Sequence, residues 1–204
     1  MKSVISAVVA TLTIVFLTFF LVLEGPTWVE RIFTLVSDER EPRWRSVAHD
    51  IYRTVGGYVT GNLLISLIAG ISSGIVLWAT GVPFAVALGL LVGLLDLIPL
   101  AGATIAAIVV VLVAIAASGA TAAIVVGVFF VVYQQIENHV IQPLVYGRTV
   151  QLSPLAVLVA VLVGAELAGV LGALAAIPVA GALQVVVVDW RRSRVEVAAP
   201  ASST

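Results

Sequence analysis

The sequence predicts an all-α fold: a polytopic membrane helix bundle with about seven hydrophobic segments, some broken or re-entrant. Three observations carry this. Hydrophobic residues make up 61% of the 204, charged residues 10%, and mean hydropathy is +1.20. Soluble domains carry roughly 25% charge, and a soluble fold of this size cannot cover so much apolar surface. Apolar runs long enough to enter a bilayer recur along the chain, and between Thr54 and Ile136 the single charged residue is Asp96. The balance of −1 gives no nucleic-acid signal, and without Cys there is no disulfide, thiolate metal site or Cys nucleophile.

Val4–Leu23 reads as the first transmembrane helix, since about 20 apolar residues span about 30 Å of hydrocarbon. A signal peptide is the competing reading, but no small-residue cleavage site follows; Glu24-Gly25-Pro26 does. Residues 24–58 form the soluble-looking part, expected as a cytoplasmic amphipathic connector. Asp38, Glu39 and Glu41 before Pro42 suit a helix start. Trp44, Val47, Ala48, Ile51 and Val55 then recur at helical spacing. That helix lies on the membrane or bundle, or serves as a solvated connector.

Val59–Thr80 is the second span, with Gly57, Gly61, Gly70 and Gly74 at four-residue spacings that let helices approach closely in lipid. Gly81-Val82-Pro83 ends it. A short third segment runs from Phe84 to Leu97, a fourth from Ala103 to Ala117, and a fifth from Ala120 to Tyr133. Ser153-Pro154 opens a sixth, which Gly169 and Gly172 break, and a seventh continues through Pro178 to Asp189. These last two are tilted or broken helices, or a re-entrant hairpin. Residues 190–204 are a cytoplasmic tail.

Orientation follows from arginine. Residues 24–58 hold Arg31, Arg40, Arg43, Arg45 and Arg53, the fifth segment leads to Arg148, and the tail holds Arg191, Arg192 and Arg194. The connections near Gly81, Ser118 and Gly169 hold no positive residue. Seven crossings put every Arg-bearing connection on the cytoplasmic side of the cell membrane, with the C-terminus cytoplasmic and the N-terminus outside. Relatives are then expected to carry sequence ahead of Met1.

One polar island interrupts the apolar sequence: Gln134-Gln135-Ile136-Glu137-Asn138-His139-Val140-Ile141-Gln142-Pro143, closed by Tyr146-Gly147-Arg148. It is either an exposed loop or a broken helix lining an aqueous cavity, because irregular backbone at membrane depth persists only where protein or water satisfies it. Asp96 is a solvated helix-end carboxylate or part of a cytoplasmic-facing vestibule. Glu137 either pairs with Arg148 as a structural staple or meets a cation or polar solute. Glu166, in Val163-Gly164-Ala165-Glu166-Leu167-Ala168-Gly169, lies deep in apolar sequence. A mid-membrane carboxylate costs roughly 2.5–3.5 kcal/mol on insertion scales, so a functional role in proton exchange is the default; otherwise it reaches the outer interface near Gly169. No metalloprotease, serine-hydrolase or nucleotide-binding motif is present, and the flanks of Asp96 and Glu166 do not match an intramembrane aspartyl protease. The expectation is a non-enzyme with no cofactor and no metal.

Together these motifs resemble the autoinducer-2 exporter family of permeases, also called the PerM-type family. The resemblance rests on Gly57-Tyr58-Val59-Thr60-Gly61-Asn62, Thr80-Gly81-Val82-Pro83, Leu94-Leu95-Asp96-Leu97-Ile98-Pro99 with Gly102, Glu137-Asn138 with Gln142-Pro143 and Gly147, Leu152-Ser153-Pro154, and Gly169-Val170-Leu171-Gly172 with Ala176-Ile177-Pro178. It covers nearly the whole chain but only the C-terminal part of a usual member, which has further N-terminal membrane helices. Position 62, often Gln in the family, is Asn62, and the aromatic usual after Ile98-Pro99 is Leu100. The resemblance implies transport without ATP hydrolysis: export of a small polar signalling molecule, or exchange of sodium or lithium for protons, by homo-oligomers, pentamers among them. The pathway candidates are Asn62, Asp96, Pro99, Glu137, Asn138, Gln142, Pro143, Arg148 and Glu166. Three readings follow: a permease exporting a small polar solute such as a quorum-sensing autoinducer, a sodium or lithium/proton antiporter using Glu166 or Asp96, and a truncated, non-transporting membrane protein. The partners expected are the lipid bilayer, that solute or a monovalent cation and proton, and further copies of the chain, with no nucleic acid.

Overall fold

The computed structural model of the chain describes residues 2–146 and 152–198, and all its regular elements there are helical. They are α1 (Lys2–Phe33), α2 (Glu41–Ala79), α3 (Ala85–Asp96), α4 (Gly102–Ser118), α5 (Ala120–Ile136), a π-helical turn (Glu137–Ile141), α6 (Gln142–Tyr146) and α7 (Pro154–Ala198). The chain divides into two compact units, residues 1–49 and 50–204.

Four helices are long and apolar enough to cross a membrane: Val8–Phe33, Glu41–Ala79, Ala120–Tyr146 and Pro154–Arg191. With α3 and α4, which are apolar but only 12 and 17 residues long, this makes a multi-pass membrane protein. Among the described residues four stretches have spanning length, the last of them broken within.

In the first unit, α1 does not stop at Leu23; it runs on to Phe33 with Pro26 inside it. Proline in a helix interior removes a hydrogen bond, yet side chains on the following turns support the helix. Trp28 Nε1 donates to Glu24 Oε2 at 3.2 Å, and the Arg31 guanidinium lies 5.6 Å from the Trp28 ring centre. After the turn, Arg45 forks onto Glu30 (2.6 and 2.9 Å), donates to Glu41 at 2.7 Å and covers the Phe33 ring at 4.6 Å. These ion pairs are exposed and add little stability. They fix the bend between α1 and the start of α2.

Residues 24–58 are therefore not a separate element. Their beginning completes α1 and their end opens α2, which is continuous through Gly56 and Gly57 to Ala79.

In the second unit, α4 buries Gly102, Ala106, Val110 and Ala114, one residue per turn, along a single stripe. That stripe meets Ala122, Ala123, Val126, Phe130 and Tyr133 of α5 to form the core, joined by Ala69 and Leu77 of α2 and Val92 of α3. Small residues at helical spacing are what close packing in lipid requires, since lipid offers no hydrophobic force to press helices together. A Cβ on Gly89 would stand 2.7 Å from the Gly70 carbonyl oxygen, so α2 and α3 touch backbone to backbone. Gly119, with φ of 88°, alone joins α4 to α5.

The stretch Pro154–Ala198 is not one rod. Ala168 (φ −142°, ψ 23°) and Gly169 (φ 59°, ψ −140°) leave helical geometry. Gly164 and Gly172 lie eight residues apart in sequence, about 12 Å along a straight helix. Here each lacks room for a Cβ because the other's carbonyl occupies it. The chain therefore reverses between them. α7 is a helical hairpin of two arms broken at Ala168 and Gly169. The first arm, about 21 Å long at 1.5 Å per residue, falls short of the hydrocarbon thickness.

Candidate functional site

Asn62 and Tyr58 sit one turn apart on the same face of α2. Asp96 ends α3, and the turn after it, Leu97 to Ala101, carries Pro99 and Leu100. Leu100 has φ of 66°, an unusual conformation for a side chain with a Cβ. Glu137 follows α5 directly on its buried face, four residues after Tyr133. These elements converge on one cavity of ≈ 370 Å³. Its polar walls include Asn62, Asp96, Thr104, Gln134, Glu137, Asn138 and Gln142; Tyr58, Tyr146, Pro99, Val157 and Ile177 add aromatic and apolar surface.

The described part of the polar island, residues 134–146, is thus an interrupted helix lining the cavity and not a loop. It stays helical by widening for one turn, with the Gln142 N–H donating to the Glu137 carbonyl. Pro143 comes immediately after this turn. It has no N–H to give, and in regular α geometry its ring would crowd the carbonyl four residues back. Such single π turns inside α-helices often accompany functional sites. Here the turn leaves Glu137, Asn138 and Gln142 facing one another. Gln142 Nε2 donates to Glu137 Oε1 at 3.1 Å and to Asn138 Oδ1 at 3.2 Å.

A relay closes one side of the cavity. The Tyr146 hydroxyl donates to Asn62 Oδ1 at 3.0 Å, and Asn62 Nδ2 donates to the Leu97 carbonyl at 3.2 Å. Tyr146 also stacks on Tyr58, with ring centres 5.4 Å apart and planes 10° from parallel. α6 can lie this close because α2 has Gly61 there; a Cβ would stand 2.9 Å from Val145 Cγ1. Replacing Tyr146 with Phe removes the hydroxyl and keeps the stack, so it should cost about 1 kcal/mol, against about 3 kcal/mol for Ala. Melting of the protein in detergent micelles measures both. Equal losses would mean that the stack contributes nothing.

Asp96 and Glu137 are 9% and 7% exposed, so two carboxylates are held away from bulk water. Glu137 Oε2 and the Tyr133 hydroxyl are buried without a hydrogen-bond partner among the described residues. Buried polar atoms normally have partners, so each such atom calls for an explanation. Among the described residues no group of three or more His, Asp or Glu side chains is placed to hold a metal ion.

The structure brings together Asn62, Asp96, Pro99, Glu137, Asn138 and Gln142. Pro143 adjoins the cavity in sequence without lining it. Arg148 lies outside the described residues, and with it the Glu137–Arg148 staple. Glu166 stands apart: it is exposed, two residues before the hairpin reversal at Ala168. Tyr133 and Thr104 were not singled out from sequence, and Tyr58 entered only within the stretch that carries the resemblance. The four-residue spacing of Tyr58 and Asn62 was an available signal, since it places both on one helix face.

Comparison with known proteins adds the following. The sequence model for AI-2E family transporters matches residues 1–192. YrrI of Bacillus subtilis, whose name gives transport as its expected activity, is 30% identical over 195 residues, 96% of this chain and 55% of that protein. A similarly named protein of Mycobacterium tuberculosis is 39% identical over 137 residues, 67% of this chain and 37% of its own length. One from Synechocystis is 30% identical over 175 residues, 85% of this chain and 49% of its own. The chain spans about half the length of the curated relatives it matches.

Proposed function

The chain belongs to the AI-2E transporter family, and from that membership we propose that it supplies the solute path of a permease moving a small polar solute without ATP hydrolysis. A quorum-sensing autoinducer is one such solute. The supporting observation is the cavity itself: a polar chamber inside an otherwise apolar helix bundle, walled by Asn62, Asp96, Glu137, Asn138 and Gln142. Amides and carboxylates there replace part of a solute's hydration shell. The helices around it are short or interrupted, as at transporter binding sites.

The test is efflux from vesicles. The full chain is reconstituted with a panel of labelled small polyols and amines inside, beside protein-free vesicles. Efflux above the protein-free rate for at least one solute is expected. Rates equal to protein-free vesicles for every solute would leave the third reading, a membrane protein that does not transport.

Cation/proton antiport is the second reading, favoured by the two buried carboxylates. In it the exchanging groups are Asp96 and Glu137 rather than Glu166, which is exposed. Adding sodium or lithium should then collapse a pH gradient across the same vesicles, and an unchanged gradient removes this reading.

The orientation belongs to the proposal too, with the Arg-bearing ends cytoplasmic. Cysteine placed at Ser118 should label from outside the cell; labelling only from inside inverts the topology. Association of copies is a further part, and a native mass equal to one chain would exclude it.

A further inference from the structure

The cavity is acidic, and nothing described balances it. Of the described residues that line it, none is Lys, Arg or His. Buried carboxylates ordinarily have a cationic partner, yet among the described residues Glu137 meets only the neutral amide of Gln142 through one oxygen, and the other has no hydrogen-bond partner there.

We infer that the solute of this cavity is a small organic cation bearing an ammonium group. The inference rests on the cavity being the solute path proposed above, and it narrows the class of solute. Ammonium N–H groups donate to Glu137 Oε2 and the Asp96 carboxylate, meeting the charge and the missing hydrogen bond together. The stacked pair Tyr58 and Tyr146 gives an aromatic wall, and ring π-systems attract cations. Gln134 and Asn138 add polar side chains to the wall for the remainder of the solute. A bare metal cation fits less well. It needs a close shell of about six oxygens, whereas ≈ 370 Å³ is the size of a small-molecule pocket. An anionic solute meets like charge from both carboxylates.

The experiment compares isosteres. The full chain in detergent micelles is titrated with 1,4-diaminobutane, with 1,4-butanediol, and with sodium chloride, and binding is followed by calorimetry and by the melting midpoint. The diamine should bind and raise the midpoint, and the diol at equal concentration should do neither. Glu137→Gln should weaken diamine binding about thirtyfold or more, the loss typical of one partner of a buried charge pair. Equal binding of diol and diamine overturns the inference, as does sodium stabilising the protein as well as the diamine. The isostere comparison uses the unaltered chain, so a variant that fails to fold does not protect the inference. The two readings fail separately. Flux of neutral solutes without any diamine preference keeps transport and removes the cation class. Diamine binding without flux of any solute removes transport and leaves a cation-binding cavity.

Discussion

Glu137→Gln should lower solute flux about thirtyfold while helix content and assembly stay unchanged. The reasoning begins with shape. Glutamine has the outline of glutamate, so its amide oxygen can still accept from Gln142 Nε2, a bond of 3.1 Å in the parent. The π turn is held by backbone, through the Gln142 N–H on the Glu137 carbonyl, and so survives. What disappears is the negative charge and the unpartnered acceptor Oε2. A hydrogen bond to a charged group contributes about 2 kcal/mol, which is about thirtyfold in an equilibrium. Flux and circular dichroism are measured on one preparation. Parental flux would mean that the solute never touches this carboxylate. Failure to insert or assemble would mean that Glu137 is a structural staple.

Gly172→Ala should destabilise the protein by about 3 kcal/mol, at the upper end of what overpacking costs. The added Cβ falls on the Gly164 carbonyl, which is backbone and cannot swing away as a side chain can. The hairpin arms must separate. Val157 on one arm and Ile177 on the other both line the cavity, so flux should fall with stability. Gly127→Ala is the control, because there a Cβ meets only Val111 Cγ2 at 3.9 Å. Alanine is the better helix former by about 1 kcal/mol, so this variant should melt at or above the parent. If both variants melt alike, the tight crossing at Gly164 and Gly172 does not hold the hairpin.

Much of this architecture was legible in sequence because apolar runs and their punctuation are local. Gly81-Val82-Pro83, Ser118-Gly119 and Gly169 mark breaks that the structure keeps. Glu137 drew attention as part of the polar island and Asp96 as a lone charge in apolar sequence, and both line the cavity. Glu166 drew attention in the same way, but the signal does not tell the edge of a bundle from its interior, and Glu166 is on the outside. The change from a connector over residues 24–58 to a span from Val59 suggested two elements. Yet a Cβ on Gly56 would meet nothing, and α2 runs straight through. Asn62 and Tyr146 are bonded across 84 residues, which no local pattern encodes.

The π turn sets a rule about chain length. Tyr146 follows Glu137 by nine residues. On an uninterrupted α-helix, at about 100° per residue, that puts the two about 180° apart, on opposite faces. One wide turn absorbs a residue, and the angle falls to about 80°. Both side chains then reach the same chamber, and Tyr146 finds Asn62. Closing the turn into regular α geometry with all nine residues kept would rotate Tyr146 away, whereas deleting one residue within 137–141 would restore the regular helix and leave the angle near 80°. The wide turn thus lets this stretch carry one residue more than a regular helix while both side chains stay on one side.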